Sequence, residues 1–267
     1  MPLLLLLACS ELHETPEDWT AWFDTGVQLE VEEPIEFIEG ECYGFPGSSG
    51  GGLADFIDRH YPADGTLFEE GASPPPGCDF GVDPELPEQL TGVVTLHPRY
   101  YFKTSGCTVL SDEKYYGSYF IGDDSGGLFV LGDSKVAHFD VGDVVTLNVR
   151  GVRTLFGLNL IYAHDVVDVQ REGRAICFQR ALEPLGDADV GQVRRVEGVV
   201  VSETDTFGEF TVEDAFGNRH VVGLDAELNR RGVTWPVGTR LQVTGPVLYS
   251  FSEYTIEVMR VGQVEEK

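Results

Sequence analysis

The second half of this chain states one pattern twice, and that constrains its fold more than any other feature. Residues 89–173 and 193–264 share an opening Gly-Val-Val strand, a hydrophobic run closed by Asp-x-x-Gly, then Val-Gly and a strand ending in Gly. Gly92-Val93-Val94 matches Gly198-Val199-Val200. Tyr119-Phe120-Ile121-Gly122-Asp123 with Gly126 matches Phe210-Thr211-Val212-Glu213-Asp214 with Gly217. Val141-Gly142 and Gly151 match Val237-Gly238 and Gly245. A repeat of this length is a duplicated domain, not a solenoid unit.

Within each copy the apolar residues fall into short alternating runs with turn residues between them. Thr91–Leu96, Gly117–Gly122, Leu128–Leu131, Val144–Val149 and Leu158–Ala163 are strand candidates in the first copy. Val196–Ser202, Phe210–Glu213, His220–Leu224, Arg240–Val243 and Tyr254–Met259 are those of the second. Turn signals every ~8–12 residues suit a sandwich or barrel. A non-strand piece separates strands three and four in each copy. In the second copy it is Asp225–Gly232, which opens on an N-cap aspartate and closes on Arg-Arg-Gly, as a short helix does. Five strands with a helix between the third and fourth is the order of the OB-fold. The expected class is all-β: two five-stranded OB-type barrels in tandem after an acidic, largely irregular N-terminal segment.

Residues 117–157 also resemble the OB-type domains of exported bacterial proteins, including those appended to extracellular nucleases. The resemblance rests on Tyr119–Asp123, Gly127-Leu128-Phe129-Val130, Val141-Gly142-Asp143-Val144-Val145 and Phe156-Gly157. Counting both copies it covers about two thirds of the chain. It is made of turn glycines and core alternation, so it implies a fold and no catalytic machinery. Gly142 and Gly238 are expected to open tight turns, and Gly151 and Gly245 to mark coiling of strand four.

The net charge of -27 is unevenly spread. Residues 1–88 hold 20 acidic side chains and one basic one, Arg59, for −19. The other 179 residues hold 25 acids and 17 bases, for −8. The acidic segment repels nucleic acid and anionic membranes, whereas the repeats are only mildly acidic. The first nine residues end in Leu6-Leu7-Ala8-Cys9, which resembles the lipobox of a bacterial lipoprotein signal. That implies lipidation at Cys9, a start lying upstream of Met1, and membrane contact through the lipid anchor alone. Ser10 suggests the outer membrane, with a periplasmic or extracellular place as the variant. The domain reading is then a signal remnant at 1–9 and an acidic Gly/Pro-rich tether at 10–88, in which Leu53–His60 is a short-helix candidate. A first barrel at 89–173, a linker at 174–192 with a helix candidate at Ala181–Leu185, and a second barrel at 193–267 follow.

Setting Cys9 aside leaves Cys42, Cys78, Cys107 and Cys177, an even number that allows two disulfides in an exported chain. Three connectivities are open, and Cys42–Cys78 with Cys107–Cys177 is the favoured one.

No catalytic constellation stands out, and no cofactor is implied. The six histidines are scattered without metal-ligand spacing. Asp123-Asp124 with Asp133, and Asp187-x-Asp189, read better as turn aspartates than as a calcium site. The difference between the copies says more. Gly92 to Gly126 spans 34 positions and Gly198 to Gly217 spans 19, so the first copy carries 15 extra residues between strands one and two. That connection and the one between strands four and five are the ligand-binding loops of OB-folds. The insertion, His97 to Tyr116, holds Arg99, Tyr100, Tyr101, Lys103, Lys114, Tyr115 and Tyr116. Arg153 and Phe156 lie in the strand 4–5 connection, and Tyr249, Phe251 and Tyr254 in the matching place of the second copy. Aromatics beside cations suit stacking on bases or sugars. The expectation is a non-catalytic binding module for a glycan or an envelope protein. The alternative is a protein that binds single-stranded nucleic acid, a partner that the net charge disfavours.

Overall fold

The computed structural model describes residues 35–44, 52–61, 88–102, 115–130, 139–155, 158–250 and 252–267. The first barrel is built from β2 (Glu88–Phe102), β3 (Tyr115–Gly122), β4 (Gly127–Val130), β5 (Val144–Leu155) and β6 (Leu158–Gln170). Its pairings close in the order β2-β3-β4-β6-β5, with β4–β6 parallel and the other pairs antiparallel.

The second copy repeats this ring. β8 (Val193–Val200), β9 (Glu209–Asp214), β10 (Arg219–Leu224), β12 (Glu253–Val258) and β11 (Arg240–Ser250) pair in that order, and β11 pairs back onto β8. Again the pairing of the third strand with the fifth, β10–β12, is the parallel one. Two closed five-stranded units with the same topology therefore stand where the duplicated pattern places them. Both Val-Gly turns are as expected: Gly142 and Gly238 sit at φ +89° and +94°, a region in which a Cβ is strained. Gly151 lies at a register shift between β5 and β6, the bend expected of it.

Continuous apolar runs in the first barrel have a physical reason. Tyr119, Ile121, Leu128 and Val130 face the barrel interior with Leu90, Val94, Leu147 and Ile161. The residues between them, Phe120 and Phe129, join Leu96, Leu158 and Leu160 on the outer face, where Met259 of the second copy covers them with Val190 and Leu248. Strands buried on both faces lose the polar alternation of a half-exposed sheet. The second core holds Val196, Phe210, Val212, Val222, Leu241, Val243 and Ile256.

The two helices close the barrels from different parts of the chain. α2 (Ala226–Arg230) lies between β10 and β11, and the Leu228 N–H donates to Asp225 Oδ1 at 2.7 Å, the capping expected of Asp225. α1 (Leu53–His60) comes from the acidic segment and covers the boundaries expected of it. Leu53 and Phe56 are fully buried in the first core while Asp55, Asp58 and Arg59 stay exposed. Burying two such side chains stabilises the docked helix by roughly 1.5–3 kcal/mol each.

A second stretch of that segment also packs. β1 (Phe37–Glu39) runs parallel to β7 (Ile176–Arg180), which itself joins the second sheet beside β8. β13 (Val264–Glu266) extends the opposite side on β11. The register Ile38↔Cys177 and the turn at Gly40 bring Cys42 beside Cys177, and these two form the disulfide, with Cα atoms 5.6 Å apart. The favoured pairing of Cys42 with Cys78 and Cys107 with Cys177 is thus corrected. Strand pairing across 135 positions, invisible to local spacing, decides the bond. The expected helix at Ala181–Leu185 is also absent. The Ala181 N–H donates to the Arg195 carbonyl at 2.9 Å, so the backbone is drawn into the sheet, and the turn of 3-10 helix falls at Asp187–Asp189.

Candidate functional site

The expected loop between the first two strands is largely a hairpin arm. β2 does not end at Leu96 but continues to Phe102, and β3 begins at Tyr115. The ladder continues with Tyr100 opposite Ser118, Tyr101 opposite Tyr116 and Phe102 opposite Tyr115. Aromatic residues favour strands, which carries the pairing outward. Pro98 has no N–H to give the ladder, and three residues of β2 (His97, Pro98 and Arg99) oppose Tyr119 alone, so the strand bulges there. Arg99, Tyr100 and Tyr101 therefore lie on the outer half of β2, and Tyr115 and Tyr116 open β3. Lys103, Lys114, Cys107 and Phe156 lie outside the described residues, as do Cys9 and Cys78.

The strand 4–5 connection lies at the same end of the barrel. Tyr119 pairs with Val130, and Val130 pairs with Ile161, which places the start of β6 beside the base of the arm. β5 and β6 pair out to Leu155↔Leu158, with Arg153 opposite Leu160. The two OB ligand connections of the first barrel thus flank one rim.

The insertion that forms this arm is close to neutral within an acidic chain. His97 to Tyr116 holds Arg99, Lys103 and Lys114 against Asp112 and Glu113, a sum of +1 in a chain of −27. Elsewhere several described arginines sit against carboxylates. Arg150 contacts Asp165 at 2.7 Å, Arg194 contacts Asp189 at 2.7 Å, Arg219 contacts Glu213 at 3.0 Å and Arg260 contacts Asp140 at 2.7 Å.

The second copy puts its aromatic candidates to another use. The rings of Tyr249 and Tyr254 lie 4.7 Å apart, and the Tyr254 hydroxyl donates to Asp187 Oδ1 at 2.5 Å. That hydrogen bond, helped by burial, pushes the phenol up to about 12. This pair clamps the inter-barrel connection and is not a free stacking platform; Phe251 lies outside the described residues. Phe207, which sequence reasoning passed over, projects from the β8–β9 connection with 70% of its surface exposed. Asp205 holds that turn by accepting from the N–H groups of Phe207 and Glu209.

The turn aspartates prove to be organisers. Asp123 Oδ1 accepts from the Ser125 N–H at 2.8 Å, the Ser125 hydroxyl at 2.6 Å and the Gly126 N–H at 2.7 Å. Its Oδ2 accepts from the Leu53 N–H at 2.9 Å and so caps α1 from a distant part of the chain. Asp124 accepts from the N–H groups of Tyr43 at 2.8 Å and Gly44 at 2.6 Å. In the second copy Asp214 makes the same turn through Phe216 and Asn218 and turns its other oxygen to the buried His220 at 3.4 Å. Asp187 and Asp189 are likewise committed, to Tyr254 and Arg194. A cavity of about 30 Å³ lies beside Asp123, lined also by Tyr43, Thr95, Cys177 and Gln192. It has room for a water or two and is too small for an organic ligand.

No family model and no curated protein matches the chain. Solved structures similar to it include HIN domains. One is the tetrameric p202 HIN2, 12% identical over 68% of this chain and 93% of that one, with a TM-score of 0.30. Another is the Ifi202 HINa domain in complex with 20bp dsDNA, 13% identical over 67% of this chain and 94% of that one, with a TM-score of 0.32. A third is the p204 HINb domain, 13% identical over 68% and 96%, with a TM-score of 0.31. The expectation of a glycan- or envelope-protein-binding module is corrected on this finding: where these structures name a partner, it is duplex DNA.

Proposed function

We propose that this chain is a non-catalytic, exported protein that binds single-stranded nucleic acid at the rim of its first barrel. One observation carries the reading. The β2–β3 arm extends a closed OB-type barrel and gathers tyrosines and cations into a stretch of +1 within an acidic protein. Bases stack on aromatic rings at ~1–3 kcal/mol each, and cations neutralise the backbone between them. In this reading Tyr100, Tyr101, Tyr115 and Tyr116 stack, Arg99, Lys103 and Lys114 contact phosphate, and Arg153 and Phe156 close the rim from the strand 4–5 connection. The paired arginines and the acidic segment keep the polyanion off the other surfaces.

The Cys42–Cys177 disulfide supports export, since such bonds persist in oxidising compartments. Lipidation at Cys9 and an outer-membrane location complete the proposal. Cys78 and Cys107 then pair with each other, the one connectivity of the three that contains Cys42–Cys177.

The test is fluorescence anisotropy of labelled single-stranded and duplex oligonucleotides with the full chain over a range of salt. Binding of the single strand that weakens steeply with salt supports the reading. No binding at low salt overturns it, and preference for the duplex overturns the single-strand assignment.

A further inference from the structure

We infer that the Cys42–Cys177 disulfide is a redox-sensitive lock on a strap, residues 35–44, and that reducing it frees the strap and uncovers an apolar seam between the two barrels. The strap lies across the junction. Its β1 ladder on β7 is three residues long. Its Tyr43 is buried and accepts the Cys177 N–H at 3.1 Å on its hydroxyl. Arg174 donates to the Tyr43 carbonyl at 2.9 Å, and Asp124 of the first barrel accepts from the N–H groups of Tyr43 and Gly44. Beneath it lie Val93 and Val144 of the first barrel and Ile176, Phe178 and Val193 of the second sheet.

Apart from the disulfide the strap is held by this short ladder, the hydrogen bonds at Tyr43 and Gly44, and one ion pair. The Glu39–Arg180 ion pair is about half exposed on both sides, and exposed pairs contribute little. Tyr43 is the one fully buried aromatic among the described strap residues, with Ile35, Phe37 and Cys42 only partly covered. The helix that follows is anchored separately, by Leu53 and Phe56 in the first core. The strap can therefore leave while α1 and both barrels stay in place.

The sulfurs differ in access: Cys42 is half-buried and Cys177 is buried. A thiolate of an external dithiol attacks the Cys42 sulfur, the S–S bond breaks, and Cys177 leaves as a thiolate that takes up a proton. The second thiol of the reductant then displaces Cys42, which is protonated in turn. The dithiol ends as a disulfide and the protein holds two thiols, a balanced transfer of two electrons and two protons.

The experiment is hydrogen exchange on the full chain carrying Cys78→Ser and Cys107→Ser, so that this bond alone responds, with and without a dithiol. The amides to follow are Gly40, which donates to the Phe178 carbonyl, and Ile176, which donates to the Glu36 carbonyl. Their exchange is expected to rise at least tenfold on reduction, while β9 and β10 keep their protection. Adding Cys42→Ser is expected to give the same pattern without reductant. Unchanged exchange at Gly40 and Ile176 in the reduced protein would overturn the inference, because the strap would need no lock. Loss of protection throughout both barrels would also overturn it, because the bond would then be a staple of the whole fold.

Discussion

Gly127 and Gly191 meet backbone to backbone where the two barrels join, and a methyl group on either would overlap the carbonyl of the other. Gly127 opens β4 of the first barrel, and Gly191, at φ +80°, leads into β8 of the second. The contact lets Met259 reach the outer face of the first barrel at Phe120 and Phe129.

Gly127→Ala is therefore expected to cost about 1–3 kcal/mol through overpacking. Gly191→Ala should cost more, because its positive φ adds strain of roughly 1 kcal/mol. Urea unfolding of both variants reads the effect. A loss below about 0.5 kcal/mol for Gly191→Ala would mean that the barrels are not in close contact there.

Asp123 joins its own turn to the start of α1. Asp123→Ala leaves four donors without their acceptor and removes the helix cap, for a loss of about 3 kcal/mol. Amide exchange should report the effect first in residues 53–57. A variant as stable as the native protein would show that α1 docks without the carboxylate.

Glu209 lies at the base of the Phe207 connection. Burial, with Asp205 and Glu253 alongside, raises its pKa above the ordinary 4.5. A carboxyl raised on folding favours the folded state when protonated, and that contribution is lost as pH rises through its folded value. Glu209→Gln should therefore be more stable than the native chain at pH 7, by about 0.5 kcal/mol given solvent screening. The gap should shrink toward pH 4. Denaturation midpoints at the two pH values check the sign, and an unchanged gap would contradict it.

The barrels were legible because their signals are local. Asp123 and Asp214 close matching turns, and Gly142 and Gly238 adopt the positive φ that their spacing implies. The boundaries of α1 were legible too, from an apolar pair three residues apart between exposed acids. What lies beyond local reach was not. The β1–β7 ladder pairs Ile38 with Cys177, a partner that no short-range pattern names. The arm was read as a loop because the extra residues fall in an OB ligand connection, yet the ladder resumes beyond the bulge at Tyr100. Tyr254 looked like a rim aromatic, but its partner Asp187 comes from the connection between the barrels.

The most direct test of the account is the salt dependence of single-strand binding for the native chain and for a variant carrying Arg99→Ala, Lys103→Ala and Lys114→Ala. Three phosphate contacts at about 0.7 each give a slope near −2 in log affinity against log salt. The account predicts that slope for the native chain and a nearly flat, much weaker response for the variant. Equal affinity and equal slope in the two proteins would contradict it, because the cations of the arm would then have no part in holding the strand.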